Sequence, residues 1–169
     1  DGGSDDGSLE HTFLKSNNIR ALLIKNDNGR LSAQLRIAYS WSLLQGYGGI
    51  ITIDGNGKDN VNFIDQMIIK LDEGFDYVQG SRYAKGGISM NTPLDRVLGN
   101  RVIHAPLLSL VSGFRFTDTT NGFRAYSKAY LAHPKVQPFR EIFMNYELLF
   151  YLTVRAPQLK LKVCEIPVS

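Results

Sequence analysis

The sequence predicts an α/β fold, a mostly parallel sheet flanked by helices. Three observations predict it. Strand-like and helix-like patterns alternate along the whole chain, which is the signature of strands carried in a sheet covered by helices. Residues 50–53 (Ile50, Ile51, Thr52, Ile53) form a continuous apolar, β-branched run, as expected of a strand buried on both faces. That run breaks abruptly into Asp54, Gly55, Asn56 and Gly57, and open α/β sheets bind ligands outside the carboxyl ends of their strands.

The elements follow in order. Residues 19–25 (IRALLIK) read as a strand, closed by the turn signal NDNG at 26–29. Ala33, Ile37, Trp41 and Leu44 then fall at helical spacing, ending near Gly46. After the strand into Asp54, Val61, Ile64, Ile68 and Leu71 form the apolar face of a helix that stops at Gly74. Residues 76–82 (DYVQGSR) are another strand. It leads into AKGGISMNTP, residues 84–93, too polar for core and too long for a simple turn, so a lid is expected. Residues 94–112 read as broadly helical, with Pro106 as a kink or break. A short strand at 123–126 comes next. Phe139, Phe143, Tyr146, Phe150 and Val154 predict a strongly apolar helix that includes Glu147, and LKLKVCEIPVS closes the chain as a strand. No repeat, low-complexity segment or linker interrupts this pattern, so residues 1–169 are read as one domain. The opening residues DGGSDDGS look like the exit from a strand. The expectation is therefore a piece of a longer chain, lacking an N-terminal strand–helix–strand unit.

Composition narrows the function. With 169 residues, 43% hydrophobic and 21% charged, the chain has enough apolar material for a sizeable core. A net charge of +3, with both signs interleaved, leaves no basic stripe and argues against nucleic acid. A phosphorylated substrate or an anionic membrane surface remains compatible. Cys164 is the single cysteine and lies in a strand-like run. It is read as a buried structural thiol in a reducing compartment. No run reads as a signal peptide or as long enough to span a bilayer, so a soluble chain is expected.

The loop at Asp54 admits three readings. A carboxylate at Asp54 with a second oxygen ligand at Asn56 suits a hard divalent cation bridging phosphates. A calcium loop of the EF-hand type fails. Lys58 occupies a ligand position, Asp59 stands where the turn glycine belongs, and Asp65 replaces the closing Glu. A plain polar turn with Asn60 capping the next helix explains the same residue types locally.

Four loops share one feature, each following a strand: DGGSDDGS at Asp1, DGNGKD at Asp54, GSRYAKGG at Gly80 and TDTTNGFRAY at Thr117. In this order and spacing, ending in CEIPV, the chain resembles the family-2 glycosyltransferases with the GT-A (Rossmann-like) fold, and within them the polyprenyl/dolichyl-phosphate sugar transferases. The resemblance implies a nucleotide-diphosphate sugar lying across the carboxyl edge of the sheet. Asp1 matches the acidic residue that bonds the base or ribose, with Gly2 where a second Asp often stands. Asp54 matches the first carboxylate of the family's D-x-D, which holds Mg²⁺ or Mn²⁺ on the diphosphate. Asn56 replaces the second carboxylate with an amide oxygen, removing one charge, and Lys58 offers a cation to a phosphate directly. Arg82 and Arg96 match arginines that face donor or acceptor phosphates, a task suited to the paired donors of guanidinium. A surface salt bridge is the plain alternative for either.

Asp118 matches the acidic residue ahead of Asn121, Gly122, Phe123 and Arg124. It is the candidate general base for an acceptor hydroxyl. For an acceptor phosphate, already ionised, it would instead position groups or hold a cation, and as a bland alternative it merely begins a turn. Gly122 allows close backbone approach. Arg124 contacts phosphate or pairs with Glu147 or Glu165. Glu147 lies on an apolar face and needs a partner or a function. His104 reads as a packed or surface residue. The resemblance thus implies an inverting hexosyltransferase acting at the cytoplasmic face of a membrane, touching it peripherally. Its acceptor is polyprenyl phosphate first and a growing glycan second. The rivals are a sugar nucleotidyltransferase, whose glycine- and basic-rich opening loop is not seen, and a catalytically degenerate nucleotide-sugar-binding domain, motivated by Asn56.

Overall fold

The computed structural model describes residues 1–89 and 93–169. In chain order these form α1 (His11–Ser16), α2 (Leu31–Leu44) and β1 (Gly49–Thr52). A 3₁₀ turn (Val61–Phe63) then runs into α3 (Ile64–Asp72), followed by β2 (Tyr77–Ser81). Next comes an unbroken helical run of α4 (Leu94–Leu98), a π turn (Gly99–His104) and α5 (Ala105–Ser112). The remainder is β3 (Arg124–Ser127), α6 (Lys128–Leu131), α7 (Glu147–Gln158) and β4 (Val163–Pro167).

The strands make one mixed sheet of order β1-β3-β2-β4. β3 is antiparallel to both neighbours, with Thr52 and Gln79 each opposite Arg124, while β2 and β4 pair in parallel, Ser81 opposite Pro167. Hence β1, β2 and β4 run one way, and only β3 runs against them. The carboxyl ends of three strands and the amino end of the fourth share one edge. This agrees with an α/β sheet of the GT-A kind, although the ladders themselves are mixed.

Side chains alternate across the strands, so each face has its own core. On one face Tyr77 and Tyr126, ring centroids 5.4 Å apart, pack with Tyr39 of α2, Tyr130 of α6 and Leu148 and Leu152 of α7. On the other, Val78, Phe123, Ala125 and Ile166 close over Met67 of α3. Glycines end the helices where the sequence predicts: Gly46 and Gly74 follow α2 and α3 with φ of 84° and 83°, a conformation glycine adopts without strain.

Four expectations change. Residues 19–25 form no strand, and their bonds to the start of the chain are two at Asp1: its ammonium donates to the Leu23 carbonyl (2.7 Å), and the Lys25 amide donates to the Asp1 carbonyl (2.8 Å). The buried face of α3 is set by Met67, with Ile64 and Leu71 beside it, whereas Val61 and Ile68 are exposed. Residues 139–146 are irregular and the helix begins only at Glu147. The Glu147 carboxylate accepts from the Met144 and Asn145 amides (3.2 and 2.7 Å), which starts the helix there. Pro106 does not break the run at 94–112: it sits in the first turn of α5, directly after the π turn, and the helix continues through it. Of the expected lid, residues 90–92 lie outside the described residues, and Ile88 donates its amide to the Val168 carbonyl (2.9 Å). The short helices α1 and α6 add to the expected set.

Candidate active site

The shared edge of the sheet gathers the loops after β1 and β2 and the loop before β3. Thr52 pins two of them, its hydroxyl donating to the Gly122 carbonyl (2.9 Å). Asp54, exposed just beyond β1, rests its carboxylate on Gly122, so closely that a Cβ there would stand 2.5 Å from Oδ1 and 2.9 Å from Oδ2. Only a glycine admits this approach.

Asp59 is the second carboxylate of this corner. Burial and the negative charge of Asp54 push its pKa up, while the Asp54 amide, Arg82 and Asn121 pull it down. The Asn121 amide Nδ2, buried and without a partner at ordinary hydrogen-bond distance, is the group on that side chain able to donate toward this carboxyl and favour its ionised form. Asn56 uses Oδ1 to accept from the Lys58 amide (3.0 Å), so its oxygen is already engaged in its own turn. Two carboxylates, Asp54 and Asp59, and the Asn56 amide oxygen at one corner are oxygen donors of the chemistry a hard cation takes. Among the described residues no three His, Cys, Asp or Glu side chains form a metal cage. Lys58 is exposed beside them.

Arg82 and Asp118 are the centre of the site. The guanidinium grips the carboxylate with two bonds, Nε to Oδ2 (2.8 Å) and Nη2 to Oδ1 (3.2 Å), the paired geometry that makes such contacts strong. Asp118 is fully buried and the Arg82 side chain is 25% exposed. The same carboxylate accepts from the Thr120 amide and hydroxyl (3.0 and 3.1 Å), from Asn100 Nδ2 (3.2 Å) and from the Arg82 amide (3.3 Å). A carboxylate offers about four lone-pair positions, and six donors crowd them. Arg82 also bonds Thr120 Oγ1 (2.9 Å) through Nη2, and its guanidinium carbon lies 5.5 Å from the Tyr83 ring centre.

Two residues beyond the four loops hold this loop. Glu165, on β4, accepts from the Thr117 amide and hydroxyl (2.9 and 2.7 Å) and from the Asp118 amide (3.1 Å). Burial raises its pKa despite these bonds. Asn100, in the π turn, is 3% exposed and reaches Asp118 with one end and Thr119 with the other. A carboxylate inside a strand and an asparagine inside an apolar helix were the sequence signals for these two, and for Asp59 a third acid in the D-G-N-G-K-D run.

The other expected site residues are dispersed. Arg124 pairs with neither Glu147 nor Glu165. It is 1% exposed and donates to the carbonyls of Asn121, Leu149 and Thr119 (2.8, 2.8 and 2.9 Å) and to Thr153 Oγ1 (2.9 Å). Asp1 caps its own turn, accepting from the Gly3 and Ser4 amides (2.7 and 2.8 Å). Glu147 is exposed and bonded to backbone, and its own amide and that of Asn145 hold its pKa down. Arg96 belongs to α4, but its side chain lies outside the described residues. His104 is packed, its ring centre 4.9 Å from that of Phe150 and its Nδ1 3.4 Å from Thr119 Oγ1. A cavity of about 840 Å³ lies elsewhere, lined by α2 together with Leu23, Lys25, Phe139 and Met144.

This edge collects the charged loops of the chain, and sequence relatives give a class for comparison. No family model matches the chain. Polyprenol monophosphomannose synthase of Mycolicibacterium smegmatis is 26% identical over 172 residues, covering 100% of this chain and 64% of that protein. Glycosyltransferase AglJ of Haloferax volcanii is 30% identical over 128 residues, 76% of this chain and 40% of that one. An uncharacterised protein of Methanocaldococcus jannaschii is 28% identical over 171 residues, 98% and 67% respectively. The chain therefore spans less than two thirds of the first two relatives. The similarity is to the family-2 glycosyltransferases, in the branch of the polyprenyl-phosphate sugar transferases, as the four loops imply.

Proposed function

We propose that the chain is part of the catalytic domain of an inverting glycosyltransferase, family-2 hexosyltransferase in type, that moves a sugar from a nucleotide-diphosphate donor to a polyprenyl phosphate. The observation that carries the choice of acceptor is the saturation of Asp118. A buried carboxylate already receiving six donors is poorly placed to take a proton from a hydroxyl. A phosphate acceptor needs no such base, because it arrives ionised. Asp118 then serves as the positioning residue for Arg82, and Arg82 turns its partly exposed guanidinium to the acceptor phosphate.

The reaction balances without proton transfer. A phosphate oxygen of the acceptor forms a bond to the anomeric carbon. The bond from that carbon to the donor's diphosphate oxygen breaks on the opposite face, its electron pair leaving with the nucleotide diphosphate. Asp54 and Asp59, with Asn56, would hold Mg²⁺ or Mn²⁺, which supplies positive charge to the leaving diphosphate. Lys58 and Arg96 are assigned to donor phosphates, and Asp1 to the nucleoside. Lipid-linked acceptors place the work at the cytoplasmic face of a membrane.

The test is a transfer assay with UDP- and GDP-sugars and a short-chain polyprenyl phosphate, run beside calorimetric donor binding. Asp54→Ala is expected to abolish Mn²⁺-dependent donor binding with the fold intact. Arg82→Lys should raise the KM for the lipid phosphate at least about tenfold, since a lysine cannot reproduce the paired contact. Faster transfer to a glycan hydroxyl than to the phosphate would overturn the acceptor assignment.

A further inference from the structure

Glu165 sits in β4 with Gln79 of β2 opposite it, and Ser81 lies two residues further along β2. Side chains two apart along a strand share a face, so Glu165 and Ser81 stand on one side of the sheet at the site edge. Thr117, in the loop before β3, bridges them. Its hydroxyl donates to Glu165 Oε2 (2.7 Å) and lies 2.6 Å from Ser81 Oγ. Ser81 Oγ in turn accepts from the Tyr83 and Ala84 amides (3.2 and 3.0 Å).

The direction of each bond in this row follows from its acidic end. A carboxylate only accepts, and a hydroxyl has one hydrogen to give. Glu165 takes the hydrogen of Thr117, so toward Ser81 the Thr117 oxygen is the acceptor. Ser81 then donates its own hydrogen to Thr117, which leaves both of its lone pairs for the Tyr83 and Ala84 amides. Ser81 is fully buried, so solvent offers no replacement for a lost partner.

The row closes on Arg82 from two sides. Ser81 caps the bend at 82–84 that carries Arg82. Glu165 also accepts from the Asp118 amide (3.1 Å), and Asp118 grips the Arg82 guanidinium with two bonds. One carboxylate on β4 therefore sets both the backbone under the guanidinium and the acid that holds it. A side-chain amide at 165 has one oxygen for the Thr117 amide, the Thr117 hydroxyl and the Asp118 amide, and would turn N–H groups toward the same donors. Burial and the neighbouring Asp118 charge both work against an ionised Glu165. Support of the loop alone does not call for a charge there; fixing the direction of the row does.

We propose that Glu165 is a second positioning residue for Arg82, fixing through the Thr117 and Ser81 hydroxyls the orientation in which the guanidinium meets a phosphate. This deepens the functional reading above, and rests on it only for whose phosphate that is, the acceptor's.

Two readouts test it, and the first needs no substrate. In the nitrogen–proton NMR spectrum of the 169-residue chain, the Arg82 Nε–H, bonded to Asp118 at 2.8 Å, is expected to give a slowly exchanging signal, assigned by its loss in Arg82→Lys. Glu165→Gln and Ser81→Ala should each shift or broaden that signal. Thr117→Val should do the same, and Thr117→Ser, which keeps the hydroxyl, should restore it. In the transfer assay Glu165→Gln and Ser81→Ala should raise the KM for a short-chain polyprenyl phosphate about fivefold or more, with kcat and calorimetric donor binding held within about twofold. Circular dichroism identifies the variants that fold; if Glu165→Gln does not, the Ser81 and Thr117 variants decide alone. Folded variants that keep the Arg82 signal and the wild-type acceptor KM would overturn the proposal. Equal losses in donor binding and acceptor KM would overturn it too, making Glu165 a support of the whole edge. An Arg82 signal that moves as expected in a chain that transfers no sugar upholds the positioning and counts against the reaction alone.

Discussion

Gly122 shows how a residue with no side chain controls a charged one. The Asp54 carboxylate occupies the space a Cβ would need, with atoms 2.5–2.9 Å from it. Gly122→Ala must therefore push Asp54 off its seat, whereas the core on either face is untouched. Donor binding measured by calorimetry should fall about tenfold or more, with a thermal midpoint lowered by little, because Asp54 itself is exposed and its contacts are surface contacts. Asp59 offers a pH test at the same corner. Its folded pKa is raised by burial and by Asp54. A raised acid contributes stability that is present below its unfolded value, about 4, and is lost as pH rises through the folded one. Removing the charge with Asp59→Asn should therefore raise the melting temperature relative to wild type more at neutral pH than near pH 4. Melts in the presence of a chelator check the sign, and an equal change at both pH values would mean that Asp59 is not opposed by Asp54.

At the scale of elements, the difference between pattern and packing is clearest in α3. Val61, Ile64, Ile68 and Leu71 are all apolar at helical spacing, yet the residue driven into the sheet is Met67. The helix begins only at Ile64, after a 3₁₀ turn, which changes the phase relative to Val61. Met67→Ala should cost about 2–5 kcal/mol, the usual range for emptying a core site. Ile68→Ala should stay within about 0.5 kcal/mol. Urea melts of the two variants decide which face is buried. The same distinction explains what the sequence disclosed of the site. Asp54, Arg82 and Asp118 were legible because each stands in a polar loop beside a strand-like run. Asp59, Asn100 and Glu165 were not, because their work depends on which strands are neighbours. β3 enters between β1 and β2 in reverse direction, and only that order sets Gly122 under Asp54. Likewise β4 beside β2 is what carries Glu165 to the amides of Thr117 and Asp118.

For the molecule as a whole, Arg124 is the joint between sheet, helices and site loop. From β3 it reaches Leu149 and Thr153 of α7 on one side and Thr119 and Asn121 of the Asp118 loop on the other. Its charge is fully buried, opposed by burial and met by the carbonyl and hydroxyl oxygens to which it donates. The sequence reading gives Arg124, the last residue of the Asn121–Arg124 element, either a phosphate contact or a pairing with Glu147 or Glu165, but an arginine buried to 1% exposure acts on the site through the loop it holds. Arg124→Met keeps the apolar stem and deletes four donated bonds. The buried carbonyls left behind make the change destabilising by at least about 3 kcal/mol, roughly 6–12 °C in Tm for a chain of this size. The effect should reach Asp118 as well. With Thr119 and Asn121 released, the acceptor KM should rise in parallel with the loss of stability, while the KM for donor follows only as far as Asp54 loses its seat on Gly122. A variant that melts lower yet keeps wild-type KM for the lipid phosphate would show that Glu165 and Asn100 hold the loop without Arg124.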